Sequence, residues 1–197
     1  MIGHSMGGRA VLVLSMQNPS MIDQLIAVDS SPISRTTEKG MKDIETFLNA
    51  ISAIDLNYLT KQNMERQEIK KYLDERLKEN GIKSESKRQW VIMNLVYRDI
   101  NETKEYDWNF NFSVLQKSFR PSLTLVPQDV LKNNSFSKKT LFIGSPISDY
   151  IPQNSHDEIR NYFPSAEFVY IDGAGHWVHA DKPKEFIKIV AQFLNSN

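Results

Sequence analysis

Apolar positions along this chain alternate between continuous runs and helical spacing. Arg9-Ala10-Val11-Leu12-Val13-Leu14-Ser15-Met16 is rich in apolar residues and free of breakers until Asn18-Pro19, which predicts a buried helix. Gln24-Leu25-Ile26-Ala27-Val28-Asp29 is a short apolar run ending in an acid, and the turn formers Ser30, Ser31 and Pro32 follow it. It reads as a buried parallel strand with Asp29 at its C-terminal edge. From Thr37 to Leu131 the pattern becomes amphipathic, charged and helical. Met41 to Leu48 leads into Ile51 and Ile54 at helical spacing, Glu65 to Asn80 follows with Gly81 as a C-terminal stop, and Gln89 to Tyr97 reads as a third helix. Tyr106, Trp108, Phe110 and Phe112 recur at every second position, which predicts an extended segment with one buried face.

Strand patterning then returns. Lys138 to Gly144 is an expected strand, His156 to Phe163 a helix and Ala166 to Asp172 another strand. A Gly-rich turn, Gly173-Ala174-Gly175-His176-Trp177, precedes a last amphipathic helix opened by Pro183 and carrying Phe186, Ile187, Ile189, Val190, Phe193 and Leu194. Alternation of strand and helix at both ends implies an α/β fold with a mostly parallel sheet covered on both faces. The expected organisation is a core from residues 1–36 and 132–197, interrupted by a helical insertion over 37–131 that is larger than a connection requires.

Composition narrows the class. The 197 residues, 40% hydrophobic and 24% charged, are enough for one ordinary globular core. Lysine plus arginine, at 24, equals aspartate plus glutamate, at 24, so the chain carries no electrostatic footprint for nucleic acid. With no cysteine, disulfides, thiolate metal sites and cysteine nucleophiles are excluded. No transmembrane-length apolar run occurs, and the first residues show neither a signal-peptide nor a transit-peptide pattern.

The chemistry concentrates at the sheet's C-terminal edge, where ligands and reactive groups gather in open α/β sheets. Gly3-His4-Ser5-Met6-Gly7 fits Gly-x-Ser-x-Gly, a pattern that sets a serine on a strained strand-to-helix turn with its hydroxyl projecting. Small residues flank such a turn so that strand and helix can approach, a need that Gly3, Gly7 and Gly8 meet. The Met6 N–H, next after the serine at a helix N-terminus, is suited to donate to an oxyanion. A serine hydroxyl needs a base, and the base an orienting acid. Of the four histidines, His4 lies inside the turn, His156 reads as a helix-surface residue and His179 as a structural partner near Asp181. His176, on the flexible turn after a strand, is the candidate base. Asp29 and Asp149 both follow strands, and either could serve as the acid.

Taken in order, GHSMGGRA, LIAVDSSP, TLFIGS and AGHWVHADKP resemble the α/β-hydrolase superfamily, and within it the small esterases, from the first residue nearly to the last. The resemblance implies the C-terminal part of an α/β-hydrolase fold, with the 37–131 insertion as a helical lid whose apolar residues line an acyl pocket. It also implies a Ser-His-Asp hydrolase of carboxylic esters, with acylglycerols among its small-molecule substrates and neither metal nor cofactor. It favours Asp29 over Asp149 as the acid, giving Ser5, His176 and Asp29 as catalytic residues and Met6 as an oxyanion donor. The family's usual Gly-Gly-Asn-Ser after the later strand stands here as Gly144-Ser145-Pro146-Ile147-Ser148. For eukaryotic members it implies a mitochondrial location and an association with a 2-oxoacid dehydrogenase complex.

The resemblance begins at the nucleophile turn. The family's earlier strands, and the His-Gly loop that supplies a second oxyanion N–H, are therefore expected in a preceding part of a longer enzyme. Loss of one such donor costs about 2.7–4 kcal/mol of transition-state stabilisation. The alternatives are an inactive truncated form, a chain that pairs its open sheet edge with another chain, and a non-catalytic lipid- or protein-binding regulatory module.

Overall fold

Continuous apolar runs near both ends of the chain close into one parallel sheet. The computed structural model describes residues 1–33, 38–62, 64–100, 103–123 and 126–196. In chain order its elements are β1 (Ile2–His4), α1 (Met6–Gln17), β2 (Leu25–Val28), α2 (Glu38–Ser52), α3 (Leu56–Gln62), α4 (Arg66–Glu79) and α5 (Glu85–Met93). They continue with β3 (Leu95–Ile100), β4 (Thr103–Trp108), α6 (Phe112–Leu123), α7 (Gln128–Asn133), β5 (Thr140–Gly144), α8 (His156–Arg160), β6 (Ala166–Tyr170), α9 (Val178–Asp181) and α10 (Pro183–Asn195). Met1–Thr37 together with Arg120–Asn197 make one compact unit, and Glu38–Phe119 make a second. The sequence pattern alone draws the end of the insertion at Leu131. Val126, Val130 and Leu131 instead bury in the same core as Leu12 and Phe136, which puts the α7 segment with the first unit.

In the first unit the strand order is β1-β2-β5-β6, every neighbour parallel. Side chains alternate across a strand, and the two faces sort accordingly. Leu25, Ala27, Phe142 and Phe168 face a core with Leu12 and Met16 of α1 and with Ile159 and Phe163. Ile26, Val28, Leu141 and Ile143 face the opposite core with Val178 and with Phe186, Ile189, Val190 and Phe193 of α10. Because both faces are covered, β2 and β5 are buried at every position. That is why they read as unbroken apolar runs rather than as an alternating pattern.

The second unit is built mainly on helical spacing. Ile69, Leu73 and Leu77 line one face of α4 and pack with Ile51, Leu59, Val91 and Trp108. Gly81 stops α4 as expected. Its φ of 99° lets the Gly81 N–H reach the Lys78 carbonyl and the Ile82 N–H reach the Leu77 carbonyl, a double closure of the helix end. The Arg88 guanidinium is buried there, paired with Asp74 at 2.8 Å and donating to the carbonyls of Ile82 and Lys83.

Two expectations for this unit change. The helix expected over Gln89 to Tyr97 ends at Met93, because the Asn94 amide N–H and side chain turn back to the Val91 and Trp90 carbonyls. Leu95-Val96-Tyr97 then forms an antiparallel ladder with β4, with Tyr97 opposite Tyr106 and their rings 4.7 Å apart. The alternating aromatic segment is extended only as far as Trp108. Asn111 accepts from the Val114 N–H at 3.1 Å and starts α6, so Phe112 is helical.

The strand-to-helix turn after β1 depends on close approach at two glycines. A methyl group at Gly3 would lie 2.4 Å from the Gly7 carbonyl oxygen, and one at Gly8 would lie 2.5 Å from the Ser30 Cβ, whereas one at Gly7 meets nothing within 4 Å. Gly3 and Gly8 thus meet the steric need; Gly7 does not. Gly3→Ala is expected to destabilise the fold by about 1–3 kcal/mol, and Gly7→Ala to leave it unchanged or stabilise it by up to about 1 kcal/mol. Urea unfolding midpoints of the two variants check this difference.

Candidate active site

One residue separates the end of β1 from the start of α1, and that residue is Ser5. Reversing from strand to helix within a single position forces its backbone to φ 53°, ψ −116°, a region costing a non-glycine residue on the order of 1–3 kcal/mol. Neighbouring hydrogen bonds hold it there. The Ser5 N–H donates to the Val28 carbonyl at 3.0 Å and the Ser5 carbonyl accepts from Arg9 N–H at 3.1 Å. The hydroxyl projects from the turn, and Oγ lies 2.9 Å from Nε2 of His176.

His176 arrives from the other side of the sheet. Its turn leaves β6 through Gly173, at φ 69°, and the Asp181 carboxylate accepts the Gly175 N–H at 2.8 Å. Nδ1 of His176 stands 2.6 Å from Oδ2 of Asp29. A carboxylate accepts, so Nδ1 carries the proton and Nε2 is left to accept from the Ser5 hydroxyl.

Asp29 follows β2 directly, with φ 42° and its N–H donating to the Ile143 carbonyl of β5 at 2.7 Å. It has no solvent exposure. Its Oδ2 accepts a second bond, from Oγ of Ser148 at 2.6 Å; among the described residues Oδ1 has no hydrogen-bond partner. Asp149, the alternative acid, is exposed in the turn just past Ser148, and the carboxylate on His176 belongs to Asp29. Met6 is the first residue of α1. Its N–H therefore has no acceptor within the helix and sits at the helix's positive end beside Ser5.

Three further residues belong to the constellation. Ser148 holds the acid, and the Tyr150 ring stacks on His176 with centroids 4.4 Å apart. His4 donates from Nε2 to the His176 carbonyl at 2.9 Å, with its ring 4.8 Å from His176 and 4.7 Å from His179. His179 thus packs with His4, while the Asp181 carboxylate serves Gly175. The usable signal for Ser148 and Tyr150 was their position just after β5, next to β2 on the same sheet edge. His4 carried no signal beyond its place in the turn. His156 stacks on Phe168 at 3.8 Å and donates to the Tyr170 hydroxyl, which in turn donates to the Ile151 carbonyl. Burial, with the charge of Asp29 adding to it, pushes the Tyr170 phenol up to about 12.

A family model described as alpha/beta hydrolase fold matches residues 1–183. The sn-1-specific diacylglycerol lipase ABHD11 of Mus musculus is 32% identical over 194 residues, covering 98% of this chain and 58% of its own length. Esterase YbfF of Escherichia coli is 30% identical over 196 residues, covering 98% of this chain and 66% of its own. Among solved structures, a marine microorganism esterase superposes with a TM-score of 0.79 at 27% identity, over 98% of this chain and 68% of that one. The chain thus spans little more than half the length of the lipase it matches.

Burial holds the His4 imidazole below the ordinary histidine value of 6.5, and the neighbouring His176 and His179 act in the same direction, against the raising influence of its bond to the His176 carbonyl and of Asp29. The folded chain therefore binds fewer protons than the unfolded chain just below pH 6.5. Stability from this site is complete above that pH and is lost as pH falls towards the lower folded value. His156, also lowered chiefly by burial, acts with the same sign. His4→Gln is expected to flatten the decline in unfolding free energy between about pH 7 and 5, measured by urea denaturation across that range.

Proposed function

The chain belongs to the alpha/beta hydrolase fold family, and from that premise we propose that it forms the reacting core of a serine hydrolase of carboxylic esters. The observation that carries this reading is the unbroken relay from Ser5 Oγ through the His176 ring to the buried Asp29 carboxylate, at 2.9 and 2.6 Å.

In this mechanism Ser5 Oγ attacks the ester carbonyl carbon as its proton passes to Nε2 of His176. Asp29 holds the ring in the required tautomer and stabilises the imidazolium. The carbonyl electron pair moves onto oxygen, and the Met6 N–H donates to that oxyanion. When the electron pair returns, the carbon–oxygen bond to the alcohol breaks and Nε2 gives its proton to the departing oxygen. Water then attacks the acyl-Ser5 ester by the same route in reverse, releasing the acid and restoring the serine.

For the substrate, the similarity to a protein named as an sn-1-specific diacylglycerol lipase and to one named as an esterase supports a neutral acyl ester, with acylglycerols as the first class to assay. The family resemblance of the sequence motifs, as distinct from these relatives' names, extends the proposal to a mitochondrial location and to association with a 2-oxoacid dehydrogenase complex. Subcellular fractionation and co-purification of the tagged protein test both.

The kinetic test uses p-nitrophenyl butyrate and a diacylglycerol. Ser5→Ala is expected to lower kcat by at least about 10³-fold, and Asp29→Asn by on the order of 10⁴-fold through the wrong histidine tautomer. Asp149→Asn is expected to leave kcat within about twofold, as for a surface substitution. Unchanged turnover in Ser5→Ala overturns the proposal.

A further inference from the structure

We propose that Tyr150 is a positioning residue for His176, its aromatic face stabilising the protonated imidazole formed during turnover and holding the ring in its productive orientation. The inference rests on the Ser5-His176-Asp29 reading and adds a member that acts through the base rather than on the substrate.

The two ring centroids are 4.4 Å apart and the planes are inclined by 26°. A cation held against a tyrosine face within about 6 Å is favoured by the ring's quadrupole, and during turnover the imidazole becomes a cation when Nε2 accepts the serine proton. The contact is therefore stronger after proton transfer than before it, the condition for lowering a barrier rather than only tightening the resting state. A face-on ring also obstructs rotation of the imidazole about Cβ–Cγ, which would take Nε2 away from Ser5.

Tyr150 is anchored from both sides along the chain. On one side the Ser148 hydroxyl is tied to Asp29 at 2.6 Å and accepts a long bond from the Tyr150 N–H at 3.5 Å. On the other, Ile151 is buried in the sheet core, and its carbonyl accepts from the Tyr170 hydroxyl at 2.7 Å. The loop after β5 thus brings one side chain to the acid and another to the base.

Several charged or titratable groups face this pair. Asp29 on Nδ1 favours the imidazolium, whereas His4, with its ring 4.8 Å from that of His176, opposes it when protonated; His179 packs on His4. Arg9 lies within electrostatic reach of the Tyr150 phenol. The His4 ring is tilted by 42° to His176, whereas Tyr150 stacks on it at 26°, so the effect should follow the Tyr150 ring and not its hydroxyl.

The test is an NMR titration of the His176 imidazole in Ser5→Ala, Ser5→Ala/Tyr150→Phe and Ser5→Ala/Tyr150→Leu proteins, the resonance being assigned with His176→Gln. Phe at position 150 is expected to leave the midpoint where it stands in the parent, and Leu to lower it by about 0.4 to 1.5 pH units. In proteins that retain Ser5, the acidic limb of the kcat/KM profile for p-nitrophenyl butyrate is expected to move to lower pH in the Leu variant. An unmoved midpoint in the Leu protein, or an equal drop with Phe, overturns the proposal. If Tyr150→Leu does not fold by circular dichroism, Tyr150→Met gives the same comparison. The titration needs no turnover, so its failure is distinct from a failure of the hydrolase reading, which falls on the Ser5→Ala kinetics.

Discussion

Everything at the reactive edge of the sheet depends on one buried carboxyl group. Asp29 ends a strand enclosed on both faces and is fully shielded from water. A carboxylate in such a place is tenable only with hydrogen-bond donors around it. The donors come from elsewhere in the chain: Nδ1 of His176 from the turn beyond β6, and the Ser148 hydroxyl from the loop after β5. Supplying two donors to Oδ2 of the acid therefore brings three strand ends together, and it fixes the histidine tautomer that leaves Nε2 facing Ser5.

The same edge stores backbone strain. Ser5 and Asp29 are the non-glycine residues with positive φ, at 53° and 42°, among those described. Both sit directly after parallel strands whose ladders continue into them: the Ser5 N–H reaches the Val28 carbonyl and the Asp29 N–H the Ile143 carbonyl. Rigid neighbouring strands over-determine these conformations, which is the circumstance in which strained residues persist at functional sites. The cores on both faces of the sheet supply that rigidity, so packing far from Ser5 contributes to the direction in which its hydroxyl points.

Local pattern revealed the parts of this design that are themselves local. Gly-x-Ser-x-Gly before an apolar helix located Ser5, and a Gly-rich turn after an apolar run located His176. The buried runs at Leu25 to Val28 and Thr140 to Gly144 were legible because full burial leaves no alternation to misread. The choice between Asp29 and Asp149 was not local, since both follow strands. What separates them is the path of the loop after β5, which turns Ser148 inward and leaves Asp149 exposed. The roles of Tyr150 and His4 are not legible for the same reason, because they arise from ring contacts with a residue far away in sequence. In the second unit, Leu95 to Tyr97 fits helix and strand about equally well by composition. The capping turn at Asn94 and cross-strand pairing with Tyr106 decide it.

The most direct measurement of the central claim is reaction of the protein with an alkyl fluorophosphonate, followed by mass spectrometry of the modified peptide. A single adduct on Ser5 is expected, formed at a rate that rises with pH through one histidine titration and that collapses in His176→Gln. No adduct, or an adduct on another serine, contradicts it.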